Sequence, residues 1–155
     1  MLRKNPKSKG GHAGGNFVII ASKYNEQYVD AMMRAAQTEF ARAKGKVKII
    51  RVPGAFEIPV VAAKVAQASP SVNGIVCLGV ILRGATTHAQ HIGEAVSDAL
   101  MQVQVQFGIP VIHEVLLLEN KEQAKARCLS KTHNRGTEAA QTAIEMAAVM
   151  KSLSE

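Results

Sequence analysis

Aromatic residues are scarce in this 155-residue chain, which contains no tryptophan and only 4% Phe, Tyr and Trp together. Its core must therefore be aliphatic, because 47% of the residues are nonetheless hydrophobic. That fraction excludes a wholly disordered chain, and the length is that of one domain. Only two cysteines occur, Cys77 and Cys128, so no disulfide framework is expected and a reducing compartment is favoured.

Long apolar runs are also missing from the sequence. No segment approaches the roughly 20 residues of a transmembrane helix, and the first residues lack the apolar stretch of a secretory signal. The second residue is Leu2, whereas N-myristoylation requires glycine. We therefore expect a cytoplasmic protein with no membrane association.

Acidic residues are absent from the start of the chain. Four of the seven net positive charges lie in residues 1–16, which hold no acid and four bases, Arg3, Lys4, Lys7 and Lys9. We predict a flexible basic N-terminal arm over residues 1–15, rich in glycine, and a single domain over residues 16–155. A basic arm could contact an anionic polymer. No zinc-finger spacing or aromatic RNA-binding motif follows it, so nucleic acid is not an expected partner.

The rest of the chain alternates between apolar runs and helical patterns. Asn25 is the expected N-cap of the first helix, and Gly45 is its expected end. Strands are predicted over residues 17–21, 47–52, 74–80 and 110–118, and helices over 26–44, 59–68, 88–107, 120–127 and 135–150. This alternation predicts an α/β fold, a three-layer α/β/α sandwich around a small four-stranded parallel sheet of flavodoxin-like or Rossmann-like type.

Unusual sequence follows the first three predicted strands, where ligands bind in such sheets. Gly84, Ala85, Thr86 and Thr87 supply small side chains and hydroxyls just before a helix, which favours an anion such as phosphate. The pattern is neither a Walker A nor a dinucleotide-binding sequence. His88 opens the helix and suits proton transfer, although a capping or surface histidine is the alternative.

Other polar residues leave two interpretations open. Glu57 could bind ligand hydroxyls or only complement a helix dipole, and Tyr24 could stack on a planar ring or be half-buried. Arg127, Lys131 and Arg135 could clamp a phosphate or form a solvated basic face. His113 lies within an apolar strand, which favours a satisfied or interfacial histidine.

Neither metal binding nor cysteine chemistry is indicated. The spacing of the histidines fits no metal site. Cys77 lies within a predicted strand, and Cys128 has no obvious base beside it, so cysteine catalysis is disfavoured.

Four segments taken together closely resemble 6,7-dimethyl-8-ribityllumazine synthases. They are Val-Pro-Gly-Ala-Phe-Glu-Ile-Pro at 52–59, Leu-Arg-Gly-Ala-Thr-Thr-His at 82–88, Glu-Gln-Ala-Lys-Ala-Arg at 122–127 and Asn-Arg-Gly-Thr-Glu-Ala-Ala at 134–140. The resemblance implies a transferase of riboflavin biosynthesis that needs no metal or organic cofactor. It would condense 5-amino-6-(D-ribitylamino)uracil with 3,4-dihydroxy-2-butanone 4-phosphate, releasing phosphate and water.

The resemblance also implies roles for individual residues. His88 matches the catalytic proton-transfer residue of the family. The phosphate would be bound by Ala85, Thr86 and Arg127, with Arg135 as a further candidate where the family often has Lys. The pyrimidine and its ribityl chain would contact Tyr24, Ala55, Phe56, Glu57, Val80, Ile81, Leu82 and His113.

Family members assemble as pentamers, and some form 60-subunit icosahedral shells. The resemblance implies that sites lie between adjacent subunits, with His113 and Arg127 supplied by the neighbour, and that the assembly could associate with riboflavin synthase. Two departures stand out, because His113 replaces a frequent Phe and Gln90 lies in a segment that is often acidic. They motivate an alternative, a non-catalytic flavin- or lumazine-binding protein on the same scaffold.

Overall fold

The computed structural model describes residues 14–154, which form four strands and five α-helices. The strands are β1 (Asn16–Ser22), β2 (Lys46–Val52), β3 (Gly74–Leu82) and β4 (Val111–Leu118). The helices are α1 (Glu26–Arg42), α2 (Ile58–Ala68), α3 (His88–Phe107), α4 (Lys121–Ala124) and α5 (Arg135–Leu153). A 3-10 turn, Ala55–Glu57, precedes α2, and a π-helical turn, Lys125–Leu129, follows α4.

All four strands are parallel and run in the order β2-β1-β3-β4. Helices α1 and α5 cover one face of the sheet around Ile19 and Val76, while α2 and α3 cover the other around Ile20 and Cys77. The predicted three-layer α/β/α sandwich is therefore confirmed. The continuous apolar runs of β1 and β3 exist because both faces of these central strands are buried.

Two of the few aromatic side chains, Phe17 and Phe40, pack against each other in this core. The rings of Phe17 and Phe40 stack with their centroids 4.5 Å apart. A Cβ on Gly45 would lie 3.3 Å from the Phe17 ring, so this glycine makes room for the pair. The predicted role of Gly45 as the helix end is wrong, because α1 ends at Arg42 and the left-handed residue after it is Lys44.

Helix α5 begins in close contact with α1. A Cβ on Gly136 would overlap the backbone carbonyl of Met32, so only glycine fits at this crossing. Asn134 is buried and caps α5, since its side-chain oxygen accepts a hydrogen bond from Gly136 N at 2.8 Å. Gly136 and Asn134 therefore fix the position of the start of α5 relative to the sheet.

Most of the predicted arm lies outside the described residues. Only Gly14 and Gly15 of residues 1–15 are described; Gly14 N donates to Ala43 O, just after α1, and Gly15 O accepts from Lys46 N, at the start of β2. Among residues 14–154, no helix is long and apolar enough to cross a membrane.

Candidate active site

The loops after β1 and β3 meet at the centre of the sheet, where the chain leaves the two strands in opposite directions. From β1 it continues to β2 at one edge, and from β3 it continues to β4 at the other. Ligands bind at such a switch point in parallel sheets. Asn25 joins the two loops, because its Nδ2 donates to Val80 O at 2.7 Å. It lies at the N-cap of α1, as predicted, but makes no side-chain capping bond.

The neighbouring pocket residues divide between core and surface. Val80 and Ala55 are buried, Ile81 and Leu82 are half-buried, and Phe56 is 61% exposed. The carbonyl of Val80 is already occupied by Asn25.

Gly54 brings the loops after β1 and β2 together. A Cβ at this position would lie 2.9 Å from the Tyr24 ring and 3.0 Å from Glu57 Oε2, so both groups pack against the bare glycine. Tyr24 is anchored by its N–H, which donates to Pro53 O at 3.1 Å, while its side chain is 68% exposed. It is therefore not a half-buried core residue, and its ring is accessible to a ligand.

Glu57 is held by the loop that carries it. Its Oε2 accepts a hydrogen bond from Gly54 N at 3.0 Å, at the start of α2. Its second carboxylate oxygen, Oε1, has no protein partner among the described residues. The side chain thus has the structural role that the helix-dipole interpretation predicts, and it keeps an acceptor free for a ligand.

Arg51 fixes the end of β1 and was not singled out from the sequence. Its Nε and Nη2 donate to the carbonyls of Ala21 and Ser22 at 3.2 and 3.0 Å, and its Nη1 pairs with Asp30 at 2.8 Å. Its position at the end of a strand, just before Val-Pro-Gly, was the only indication in the sequence. The guanidinium stabilises the strand end from which Tyr24 projects.

The loop from Arg83 to Thr87 is open and leads into α3, which begins at His88 as predicted. Every residue from 83 to 88 is exposed. Thr86 Oγ1 accepts a hydrogen bond from His88 N at 3.3 Å, and Thr87 Oγ1 lies 3.3 Å from His91 Nε2. Because the first amides of a 20-residue helix point into this loop, it can accept an anion.

The two arginines lie on a separate, well-ordered segment after β4. Asn120 caps α4, with Gln123 N donating to its side chain at 2.9 Å, and Arg127 follows in the π-helical turn. Asn134 Nδ2 donates to Cys128 O at 2.6 Å, which ties this turn to the start of α5. Arg135, the first residue of α5, pairs with Glu138 at 3.4 Å.

One chain does not bring its arginines to its own histidine. The turn that carries Arg127 packs against α1, and Arg135 lies on α5, so both belong to the α1/α5 face of the sheet. His88 begins α3, which covers the opposite face. Since β4 is the edge strand between them, the predicted phosphate residues form two separate groups within one chain.

His113 lies on β4 and faces α3. Its Nε2 is 2.8 Å from Ser97 Oγ, and its Nδ1 accepts a hydrogen bond from Val115 N at 3.1 Å. The residue remains exposed at the edge of the sheet. The ring is therefore satisfied by hydrogen bonds, which is the first of the two predicted alternatives.

The cysteines and the potential metal ligands add no further chemistry. Burial raises the pKa of Cys77 to about 12, and burial together with the nearby Glu114 carboxylate raises that of Cys128 to about 11. Both thiols stay protonated at neutral pH and are poor nucleophiles. Within residues 14–154, no group of three or more His, Cys, Asp and Glu side chains is arranged to hold a metal ion.

Comparison with known proteins shows where this arrangement belongs. The family model for 6,7-dimethyl-8-ribityllumazine synthase matches residues 14–151, which include every predicted site residue. The chain belongs to this family. Relatives named 6,7-dimethyl-8-ribityllumazine synthase occur in Stenotrophomonas maltophilia R551-3, 38% identical, and in Xanthomonas campestris pv. campestris B100, 39% identical. Each alignment spans 140 residues, 88% of this chain and 90% of the relative.

Membership in the lumazine synthase family agrees with the sheet and with the residues at its C-terminal edge. A third relative with the same name, from Xanthomonas oryzae pv. oryzae PXO99A, is 39% identical over the same share of the chain. The family resemblance of the four sequence segments is thereby confirmed. Asn25, Arg51, Gly54 and Asn134 position the site and were not among the predicted site residues.

Proposed function

We propose that this protein forms 6,7-dimethyl-8-ribityllumazine at the C-terminal edge of its sheet. Its substrates would be 5-amino-6-(D-ribitylamino)uracil and 3,4-dihydroxy-2-butanone 4-phosphate. The observation that carries the proposal is the packing of Tyr24 and Glu57 around Gly54, beside the open loop that ends at His88, in a chain of this family. No metal or organic cofactor is required by this reaction.

The phosphate ester would bind where the chain offers free amides and positive charge. Ala85 and Thr86 precede the N-terminus of α3, and the helix dipole favours a dianion there. Arg127, assisted by Arg135, would complete the site with charge-assisted hydrogen bonds. Elimination of phosphate from the substrate is helped by such donors because negative charge builds up on the leaving oxygen.

The pyrimidine would bind on the side of Tyr24. The exposed ring offers a stacking surface, and the free oxygen of Glu57 can accept hydrogen bonds from ribityl hydroxyls. Phe56 and the strand end from Val80 to Leu82, with Ala55 behind them, would line the pocket. Holding the amine against the ketone lowers the barrier to imine formation by fixing the two reactants in one orientation.

His88 would transfer the protons that the successive reaction steps require. Imine formation and ring closure each release water, and the step between them expels phosphate after loss of a carbon-bound proton. His88 is exposed at the start of α3, and an imidazole can act as both proton donor and proton acceptor. Thr86 Oγ1 bonds to the His88 amide and would hold this residue beside the phosphate.

We propose that the complete site lies between adjacent subunits of a homo-oligomer. Arg127 and Arg135 belong to the face of the sheet opposite to α3, which supports a site that a neighbour's arginines complete. Exposed apolar side chains on and beside α2 and α3 support such an interface: Phe56 at 61%, Val60 at 69%, Met101 at 57% and Val105 at 73%. A pentamer, alone or in a 60-subunit shell, is the assembly that we propose.

The remaining expectations accompany this proposal. They are a basic arm over residues 1–15 and one catalytic domain over residues 16–155, a cytoplasmic location and an association with riboflavin synthase. Light scattering of the purified chain would give the mass of the assembly. Particles of monomer mass at working concentration would contradict the shared site.

The test of function is the rate of lumazine formation, followed by absorbance and corrected for the uncatalysed reaction. We expect His88→Ala to lower kcat by about a hundredfold or more, because proton transfer contributes that much. His91→Ala is the matched control, since His91 is also an exposed histidine in the first turn of α3. Arg127→Ala should chiefly raise KM for the phosphate substrate. Ligand binding by the wild type without turnover would support the binding-protein alternative.

A further inference from the structure

The side chain of His113 is fixed on both of its ring nitrogens. Nδ1 lies 3.1 Å from the amide of Val115, two residues further along β4. Nε2 lies 2.8 Å from Ser97 Oγ on α3, and that hydroxyl donates to Gly93 O at 2.8 Å. Three hydrogen bonds thus connect the edge strand, the imidazole and helix α3.

The direction of these bonds determines the protonation of the ring. A backbone amide can only donate, so Nδ1 must carry the lone pair and the proton of the neutral ring must be on Nε2. Ser97 Oγ then accepts from Nε2–H while its own proton is used on Gly93 O. Every donor has an acceptor in this arrangement, which is that of an uncharged imidazole.

The same direction excludes a nucleophilic role for Ser97. A serine is activated when a histidine nitrogen accepts its proton, and here that nitrogen carries a proton itself. Ser97 is exposed on α3 and is not required by any step of the proposed reaction. Its contact with His113 is therefore better explained by positioning.

We propose that Ser97 and the Val115 amide hold the His113 ring neutral and in one orientation. In that orientation the ring forms a planar stacking surface in the neighbouring subunit's pyrimidine site. The inference rests on the proposed function and concerns how this chain holds the histidine of its edge strand. An unrestrained imidazole could rotate or become charged. The two hydrogen bonds suppress both changes and leave the ring with the aromatic properties that stacking requires.

Charged groups surround His113 on several elements. Helix α3 presents Glu94 and Asp98 along a groove that Ser97 and Val115 also line, and Arg83, which lines the same groove, pairs with Glu119 at 3.0 Å. Cys77, its partner in register on β3, stays a neutral thiol. On the opposite face of β4, Glu114 faces Arg135 and Glu138 of α5. The charges of α4, Lys121 and Glu122, are exposed.

None of these charges stabilises an imidazolium enough to offset the crowding of the ring by protein atoms. That crowding lowers the pKa of His113 below its usual range, although its own backbone acts in the opposite direction. Protonation would also place a second N–H against the Val115 amide and break that hydrogen bond. The neutral ring is therefore the form present around neutral pH.

The test is the coupling between Ser97 and His113 in the binding of 6,7-dimethyl-8-ribityllumazine, measured by equilibrium dialysis on the assembled protein. We expect Ser97→Ala to weaken binding by about fivefold, since it removes one hydrogen bond that orders the ring. In the His113→Phe background the same substitution should change binding less than about twofold. Ser97→Thr keeps the hydroxyl and should restore wild-type affinity.

Equal effects of Ser97→Ala in both backgrounds would overturn the positioning role, because a purely helical function of Ser97 does not depend on residue 113. A second readout is pH. Between about pH 7.5 and about pH 5, wild-type affinity should fall as the ring becomes charged, while that of His113→Phe should fall less. Parallel pH curves would overturn the neutral-ring role.

The outcome also separates this inference from the proposed function. Dialysis with the product requires no turnover, so an inactive chain that still binds can show the coupling. A wild-type chain that binds and turns over without the coupling overturns only the role of Ser97. A wild-type chain that binds no lumazine overturns both.

Discussion

Two segments at the C-terminal edge of the sheet are proposed to hold the same phosphate, yet they are built differently. The loop from Arg83 to Thr87 is exposed throughout, and a Cβ on its Gly84 would meet nothing within 4 Å. The segment from Arg127 to Arg135 is held by the hydrogen bonds of the buried Asn134. It is followed by Gly136, where α5 packs closely against α1. One segment exposes the backbone from Gly84 to Thr87 to a ligand, whereas the other uses the packed core to orient long cationic side chains.

The strongest test of this contrast is a pair of glycine substitutions. Gly136→Ala should destabilise the fold by about 3 kcal/mol or more, because the added Cβ overlaps a backbone carbonyl that cannot move away. Gly84→Ala should change the unfolding free energy by less than about 0.5 kcal/mol. Denaturant unfolding of both variants gives the comparison, and similar losses would show that the two segments are equally packed.

The next test removes the side chains at the two helix starts. Asn134→Ala should cost about 2 to 3 kcal/mol, since it removes a cap and leaves the buried Cys128 carbonyl without its donor. Thr87→Ala is its counterpart, because Thr87 lies at the N-cap of α3 without a side-chain capping bond. Thermal melts should show a clear shift for the first variant and almost none for the second.

Glu114 makes the arginine segment sensitive to pH. Burial is the main cause that raises its pKa, to about 7, with Arg135 opposing and Glu138 adding to the shift. The folded state therefore holds this proton to a higher pH than the unfolded state. As a result, the contribution of Glu114 to stability falls as pH rises from about 4.5 to about 7.

Replacing this carboxyl should remove that loss. We expect Glu114→Gln to stabilise the chain by about 2 kcal/mol near pH 8 and to have little effect near pH 4.5. Unfolding in denaturant at the two pH values measures the difference between variant and wild type. A difference that does not change with pH would contradict the assignment to Glu114.

The smallest effect is expected at an exposed ion pair that joins the start of the open loop to the end of β4. Arg83 pairs with Glu119 at 3.0 Å, but both side chains are substantially exposed, at 36% and 57%. Glu119→Gln should therefore cost less than about 0.5 kcal/mol, and salt should reduce even that. The backbone bond from Arg83 N to Leu118 O, at 2.8 Å, remains in the variant. A larger loss of stability would mean that this ion pair couples the segments.

Local patterns were sufficient to predict most of the fold. Strict runs such as 17–21 and 75–78 predicted the central strands, and α3 begins and ends where its periodicity predicts, at His88 and Phe107. One boundary failed for a tertiary reason. β3 continues two residues beyond its predicted end at Val80, because pairing with β4 extends to Leu82.

The site was predicted as a set of residue types, and the structure decided their geometry. The sequence by itself determined which strand ends carry small, hydroxylated and basic residues, because those properties follow from the order of the amino acids. Only the tertiary structure decided that Asn25 donates a hydrogen bond to Val80 O and that Tyr24 and Glu57 pack against Gly54. It also decided that the arginines lie on the opposite face from His88, since these relations depend on residues that meet only after the sheet has formed.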